Sequence, residues 1–174
     1  MGIPVQFTLH KLVIGVLRSG EDIRENLHAA LEAAFGPIDF VSEVLPFTYT
    51  SYYHKEMGDR IDRYFLSFRT LVMPDKLPDI KLASNGLEES FAREKKRTVN
   101  LDPGLLALSR FTLATTKDNA HRIALRDGIY GELTLLYTRK DFQTLPWTYP
   151  DYATREYRDI LLKIREIYKE DLKR

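Results

Sequence analysis

Apolar and polar positions in this chain recur with two periods, and the alternation between them sets the expected elements. Residues 11–17, KLVIGVL, form a nearly continuous apolar run, the pattern of a central strand covered on both faces. Ser19-Gly20-Glu21-Asp22 then offers a capping serine with acids in the first helical turn. Ile23, Leu27, Ala30, Leu31 and Ala34 recur at helical spacing until Gly36-Pro37 stops the segment.

Residues 39–47, DFVSEVLPF, alternate as a second strand, with Pro46 marking its end or an edge. A tyrosine-rich polar connection leads to residues 63–71, RYFLSFRTL, in which Tyr64, Leu66, Phe68 and Thr70 alternate against Phe65, Ser67 and Arg69 as a third strand. Residues 73–94 place Leu77, Ile80, Ala83 or Ser84, Leu87 and Phe91 on one helical face, with Pro78 in the first turn and Gly86 as a local weakness. Residues 95–97, KKR, read as a solvated helix end before a fourth strand at 98–101, which Asp102-Pro103-Gly104 is expected to stop.

The order βαββαβ predicts an α+β protein with a ferredoxin-like sandwich core, in which two helices cover one face of an antiparallel sheet. Residues 105–116 read either as a short helix capped by Ser109 or as a strand broken by a bulge. Residues 121–126 and 129–137 flank Asp127-Gly128, a strong hairpin signal, and residues 142–147 add a candidate strand. Thr154 caps a final helix with Tyr157, Ile160, Leu161, Ile164, Ile167 and Tyr168 facing inward, and its charged KEDLKR end is expected to fray. The core is thus extended by a C-terminal β-hairpin and a final helix. Without repeats, low-complexity tracts or linkers, residues 1–174 read as a single domain.

Composition narrows the function classes. With 44% hydrophobic and 29% charged residues the chain is of the globular class, and 174 residues suffice to bury a core without metal or disulfide. A net charge of +1, from 26 basic and 25 acidic residues, disfavours nucleic-acid binding over the whole surface and leaves only a local basic patch open. The absence of cysteine removes disulfides, thiolate nucleophiles and cysteine-bearing zinc sites. The first twenty residues carry an apolar run too short to span a bilayer and lack the order of a signal peptide, so a cytoplasmic protein with no membrane partner is expected. Gln6 breaks the myristoylation pattern after Met1-Gly2.

Candidate chemistry concentrates in residues 99–137. A two-residue Asp127-Gly128 turn would pair Arg126 with Ile129, Leu125 with Tyr130, Ile123 with Glu132 and His121 with Thr134. His121, Tyr130, Glu132 and Thr134 would then share a sheet face, with Ile123 and Leu125, while Arg122 would alternate to the opposite face. The His121 and Glu132 pair fits three roles: a base and its orienter, two ligands of a divalent metal with Asp102 as a third, or an ordinary cross-strand polar pair. Asn100 and Asp102 alternate at a strand end, as site residues do, although Asp-Pro-Gly also reads as plain turn chemistry. Lys117, within Thr115-Thr116-Lys117-Asp118-Asn119, offers an ammonium and hydroxyls to a phosphate, or is a simple polar loop. The glycine-rich loops that usually cradle phosphate are absent. Tyr49, Tyr52, Tyr53, Trp147, Tyr149 and Tyr152 cluster in two segments that either line a pocket or cover a sheet edge. His10, His28 and His54 have no ligand-like spacing.

Six segments together resemble one family: FGPIDF at 35–40, YYHKEMG at 52–58, KRTVNLDPG at 96–104, LATTKDNAHRI at 113–123, GIYGELTL at 128–135 and WTYPDY at 147–152. The chain is similar, over nearly its whole length and in order, to the uncharacterised bacterial domain-of-unknown-function family 4416. That resemblance implies no established activity, substrate or cofactor. It also implies acids just before the paired tyrosines, where this chain has Thr50 and Ser51.

The residues point to a small-ligand-binding protein or enzyme acting on a phosphorylated or nucleotide-like compound. His121, Glu132 and Asp102 are the candidates for chemistry, and Asn100, Lys117, Arg122, Tyr130 and Tyr152 for binding a small anionic ligand. The competing expectation is a noncatalytic module that binds RNA or a protein through Tyr52, Tyr53, Trp147 and Tyr152. No cofactor or oligomeric state follows from the residues.

Overall fold

The computed structural model describes residues 2–19 and 23–174, so the expected capping acids Glu21 and Asp22 lie outside the described residues. At its centre runs β1 (His10–Ser19), flanked by β4 (Ile61–Val72) and β5 (Val99–Leu106). The remaining strands are β2 (Ile38–Val41), β3 (Leu45–Pro46), β6 (Arg110–Thr115), β7 (Arg122–Arg126), β8 (Ile129–Thr138) and β9 (Asp141–Thr144). They form one nine-stranded sheet in the order β2-β4-β1-β5-β6-β8-β7, with β3 beside β4 and β9 beside β8. Its pairings are antiparallel.

Among the described residues four α-helices accompany the sheet: α1 (Arg24–Phe35), the single turn α2 (His54–Met57), α3 (Leu77–Ser90) and α4 (Arg155–Asp171). The apolar run of β1 is explained by burial on both sides. Leu12, Ile14 and Val16 pack with Leu27 and Leu31 of α1 and Leu77 and Ile80 of α3. On the opposite face Val13 and Phe65 pack with Tyr157, Ile160, Leu161 and Ile164 of α4. Helices therefore cover both faces, and the final helix is a third layer rather than an appendage. No helix among the described residues is long and apolar enough to cross a membrane.

Several local expectations are corrected. Residues 39–47 split into β2 and β3 around Ser42, whose hydroxyl accepts the Phe65 N–H at 2.9 Å while its own N–H donates to Phe65 O at 2.9 Å. In α3 it is Ser84, bonded to Ile80 O at 2.8 Å, and not Ala83, that faces the core. Asp102-Pro103-Gly104 does not stop the fourth strand, because β5 runs through it to Leu106. The ladder with β6 begins only at Gly104, so Pro103 stands where β5 is paired on one side, the place a missing N–H is tolerated. Gly104 answers a packing need: a Cβ there would lie 2.6 Å from the Phe111 ring and 2.9 Å from Thr112 O.

Residues 105–116 contain no helix. They complete β5, turn where Ala107 N–H donates to Arg110 O at 2.9 Å, and enter β6. The hairpin forms as expected, with Asp127 and Gly128 both in the left-handed region (φ 56° and 72°). Arg126 pairs with Ile129, but the register then shifts at Leu125, so Ala124 faces Tyr130, Ile123 faces Gly131 and Arg122 faces Glu132. The bulge moves Arg122 onto the face of Glu132 and leaves Ile123 and Leu125 exposed at the sheet edge.

The C-terminal end of α4 is anchored rather than frayed. Lys11, wholly buried in β1, is ion-paired with Asp39 and with Asp171 at 2.6 Å, and the Tyr168 hydroxyl donates to Leu9 O at 2.6 Å.

Candidate functional site

A cleft of about 820 Å³ opens where α3, the segment before β4, the starts of β5 and β8, the end of β6 and residues 149–152 meet. Arg63 lies at its inner end, on the face of β4 that also carries Phe65, and is 2% exposed. Its Nη1 donates to Asp102 at 2.9 Å and its Nη2 to Asp151 at 3.5 Å, and the guanidinium lies over Phe47 and Phe65. Room for it comes from Gly15, which sits in register between Phe65 and Asp102. A Cβ on Gly15 would fall 2.7 Å from Arg63 Nη1 and 3.0 Å from the Tyr152 hydroxyl. Gly15→Ala is therefore expected to destabilise the fold by about 1–3 kcal/mol, the usual cost of overpacking, measured by urea denaturation. A loss below about 0.5 kcal/mol would show that Arg63 can shift without consequence.

A polar chain continues outward from Arg63. Asn100 Nδ2 donates to Asp102 at 2.9 Å, and Arg97 Nη1 donates to Asn100 Oδ1 at 2.7 Å. Arg97 also pairs with Glu56 at 3.1 Å, so this residue of the KKR segment belongs to the cleft and is not a solvated helix end. Burial opposes ionisation of Asp102, but the Arg63 and Lys81 charges and the bonds from Arg63 and Asn100 outweigh it and hold the carboxyl below its usual range. Asp151 goes the other way, because its burial outweighs the attraction of Arg63 and pushes its carboxyl up. Burial also raises the Tyr152 and Tyr149 phenols, and the charge of Glu132 adds to the effect on Tyr149.

Glu132 reaches the cleft from β8 and is 1% exposed. Its Oε2 accepts Arg122 Nε at 2.7 Å and lies 3.0 Å from His121 Nε2. The shifted register, which should have separated His121 from Glu132, does not do so because His121 precedes β7 and is free of its alternation. Its ring stacks on Trp147, centroids 5.1 Å apart and 14° between planes, and Trp147 is itself fixed by donating to Leu133 O at 2.8 Å. Arg122 has a partner at each guanidinium nitrogen: beyond Glu132, its Nη1 donates to Lys117 O at 2.9 Å and its Nη2 to the Tyr149 hydroxyl at 2.6 Å.

Of the residues expected to form a site, the fold gathers Asn100, Asp102, Lys117, Glu132 and Tyr152 on the cleft. His121 and Arg122 stand behind Glu132 and do not line it. Each nitrogen of the Arg122 guanidinium already has a protein partner, so it holds the wall behind Glu132. Tyr130 is half-buried opposite Ala124 and Thr115 and does not line the cleft. Thr134 is buried, with its hydroxyl on Glu132 O at 3.1 Å, and has no His121 partner in the ladder. Asp102 is committed to Arg63, and no group of three His, Asp or Glu able to hold a metal occurs among the described residues.

Sequence reasoning missed Arg63 and Asp151. Arg63 shares its alternation with Phe65 and Ser67, so a cation on a covered face was a readable demand for an acid; Asp151, after Pro150 in a loop, carried no comparable signal. Three residues that line the cleft carry a buried side-chain atom with no hydrogen-bond partner among the described residues: Arg63 at Nε, Glu132 at Oε1 and Tyr152 at its hydroxyl. Buried polar groups are rarely left so.

The model of a family described as a domain of unknown function, DUF4416, matches residues 8–168. The chain belongs to this family. The matched span contains every cleft residue named above and ends before Asp171, the anchor of α4. No curated protein and no solved structure matches the chain.

Proposed function

We propose that this member of the family is a small-ligand-binding protein or enzyme whose ligand, a phosphorylated or nucleotide-like compound, occupies the cleft between Arg63 and Lys117. The observation that carries this reading is the set of buried, unpartnered polar atoms on residues lining the cleft, Arg63 Nε, Glu132 Oε1 and the Tyr152 hydroxyl, beside a cavity large enough for such a compound. Lys117 lies 4.4 Å from the centre of the Tyr52 ring and makes no ion pair among the described residues, so its charge is available for a phosphate. Any proton transfer falls to Glu132, oriented by His121 and Arg122.

We also read residues 10–106 as a ferredoxin-like core within a single domain. The order β2-β4-β1-β5 is that of a βαββαβ sandwich, with α1 and α3 packed on the same face. A noncatalytic RNA-binding module is less well supported, because it needs exposed rings. Tyr152 is 2% exposed and Trp147 is already stacked on His121, so these residues form no flat platform.

Native mass spectrometry of protein purified under gentle conditions tests the reading. The expected result is a bound phosphorylated metabolite whose occupancy falls in Lys117→Ala with the fold retained. Protein without added mass, and without stabilisation by any member of a panel of phosphorylated metabolites, would defeat it.

A further inference from the structure

Residues 2–9, GIPVQFTL, precede β1 and belong to no helix or strand, yet they carry the pattern of a strand. Ile3, Val5, Phe7 and Leu9 alternate with Gly2, Pro4, Gln6 and Thr8, and the first three are 86%, 84% and 62% exposed. A period of two marks a strand with one covered face, and among the described residues that face is left open. Pro4 is compatible with pairing: residues of one parity direct their N–H groups to one neighbour, and Pro4 has the other parity from Ile3, Val5 and Phe7. The segment holds no charged residue, so docking it buries no charge.

Such a segment pairs at a sheet edge, and one edge of this sheet matches it. β7 ends the strand order and is paired on one side only. Its Ile123, 72% exposed, and Leu125 lie on one face, because Leu125 leans over Gly131, the residue opposite Ile123. Its two arginines are already held, Arg122 by Glu132 and Arg126 by Asp79 and Asp127. The opposite edge, β2, is less open, since its Ile38 N–H donates to Glu32 at 2.9 Å and its Asp39 is tied to Lys11. The segment cannot lie along β7 of its own chain. Four strand spacings separate β1 from β7, about 19 Å, and the pairings place His10 about five residues along the strands from the level of Ile123, about 17 Å. The diagonal is roughly 25 Å, whereas the chain from His10 to Val5 spans at most about 18 Å.

We propose that residues 3–9 add as an extra strand to β7 of a second copy of this chain. Made in both directions, the contact closes a two-fold dimer and covers twelve large apolar side chains, six from each copy: Ile3, Val5, Phe7, Leu9, Ile123 and Leu125. Those side chains supply about 1,000 Å² of apolar surface before the backbone of the two added strands is counted, which reaches the size of a specific interface. None of them lines the cleft, so the interface stands or falls apart from the ligand.

Sedimentation equilibrium and cross-linking test this. The native chain is expected to sediment as a dimer that dissociates on dilution. Val5→Lys and Ile123→Lys, both at exposed positions and checked for folding by circular dichroism, are each expected to weaken the dimer roughly tenfold or more, because a charge replaces an apolar contact. The chain has no cysteine, so Val5→Cys combined with Ile123→Cys offers a short bismaleimide only the two substituted positions. The double variant is expected to give a covalent dimer, and neither single variant is. A monomer at every concentration, or a dimer that survives either lysine substitution, overturns the inference. So does a link that forms within one chain, a link that a single variant forms as well as the double one, or no link at all. If a lysine variant fails to fold, the cross-linking result decides alone.

Discussion

Arg63→Met is expected to lower stability by about 3 kcal/mol at pH 7, and by less in acid. Removing one partner of a buried ion pair costs roughly 3–5 kcal/mol, because the remaining charge stays out of water without compensation. The lower end applies here, since Asp102 keeps 27% of its side chain exposed and can recruit solvent, while Asp151 is more enclosed. The pH dependence follows from the shifts of the two acids. In the native protein Asp102 titrates below its unfolded value, so its contribution is complete above the unfolded value near about pH 4 and is lost as pH falls through the folded one. Asp151 titrates above its unfolded value, so it favours the fold when protonated, and that contribution fades as pH rises through the folded value. Without Arg63 both carboxyls are left with burial as the dominant influence, and both protonate more readily. The deficit of the variant should therefore be largest at neutral pH and shrink toward pH 4. Urea denaturation of both proteins at pH 7 and pH 4 measures it. A deficit that is constant or grows in acid would show that Arg63 acts through packing over Phe47 and Phe65 alone.

How much of this was legible in the sequence depended on whether a residue's role was local. The apolar run of β1, the Thr154 cap and apolar stripe of α4 and the Asp127-Gly128 turn are set by near neighbours, and their patterns predicted them. Asp102-Pro103-Gly104 looks like a bend but serves distant packing: Pro103 occupies the half-paired stretch of β5, and Gly104 admits the Phe111 ring. The bulge at Leu125 had no marker, and it reversed the expected placement of Arg122 relative to Glu132. His121 reached Glu132 nonetheless, for a reason outside the ladder arithmetic. The site was half visible. Asn100, Asp102, Lys117, Glu132 and Tyr152 were chosen as polar or amphipathic groups beside core segments, whereas Arg63 and Asp151 meet them only through contacts 39 and 88 residues apart in sequence.

Lys11→Met should reveal how the final helix is held, with an expected loss of about 3–5 kcal/mol. Lys11 is 0% exposed and its ammonium bridges Asp39, on the strand β2, to Asp171, the last residue of α4. An aspartate in the last turn is of the wrong sign for the helix dipole, and a buried cation beside it is of the right sign, so Lys11 corrects both local charges at once. Methionine preserves the volume of the stem but leaves two carboxylates facing an apolar site. Among the described residues Asp39 keeps the Ser67 hydroxyl at 2.6 Å as a donor, while Asp171 retains Arg174 at 3.7 Å, a surface pair of little weight. The helix end should therefore loosen first, seen as faster amide hydrogen exchange at residues 168–172 than in the core of α4. Adding Asp39→Asn and Asp171→Asn to Lys11→Met removes the uncompensated charges and should recover most of the lost stability, because neutral amides can be left beside an apolar stem at smaller cost. A single variant that costs less than about 1 kcal/mol, or a triple variant no better than the single, would show that the bridge is not what holds α4 against β1.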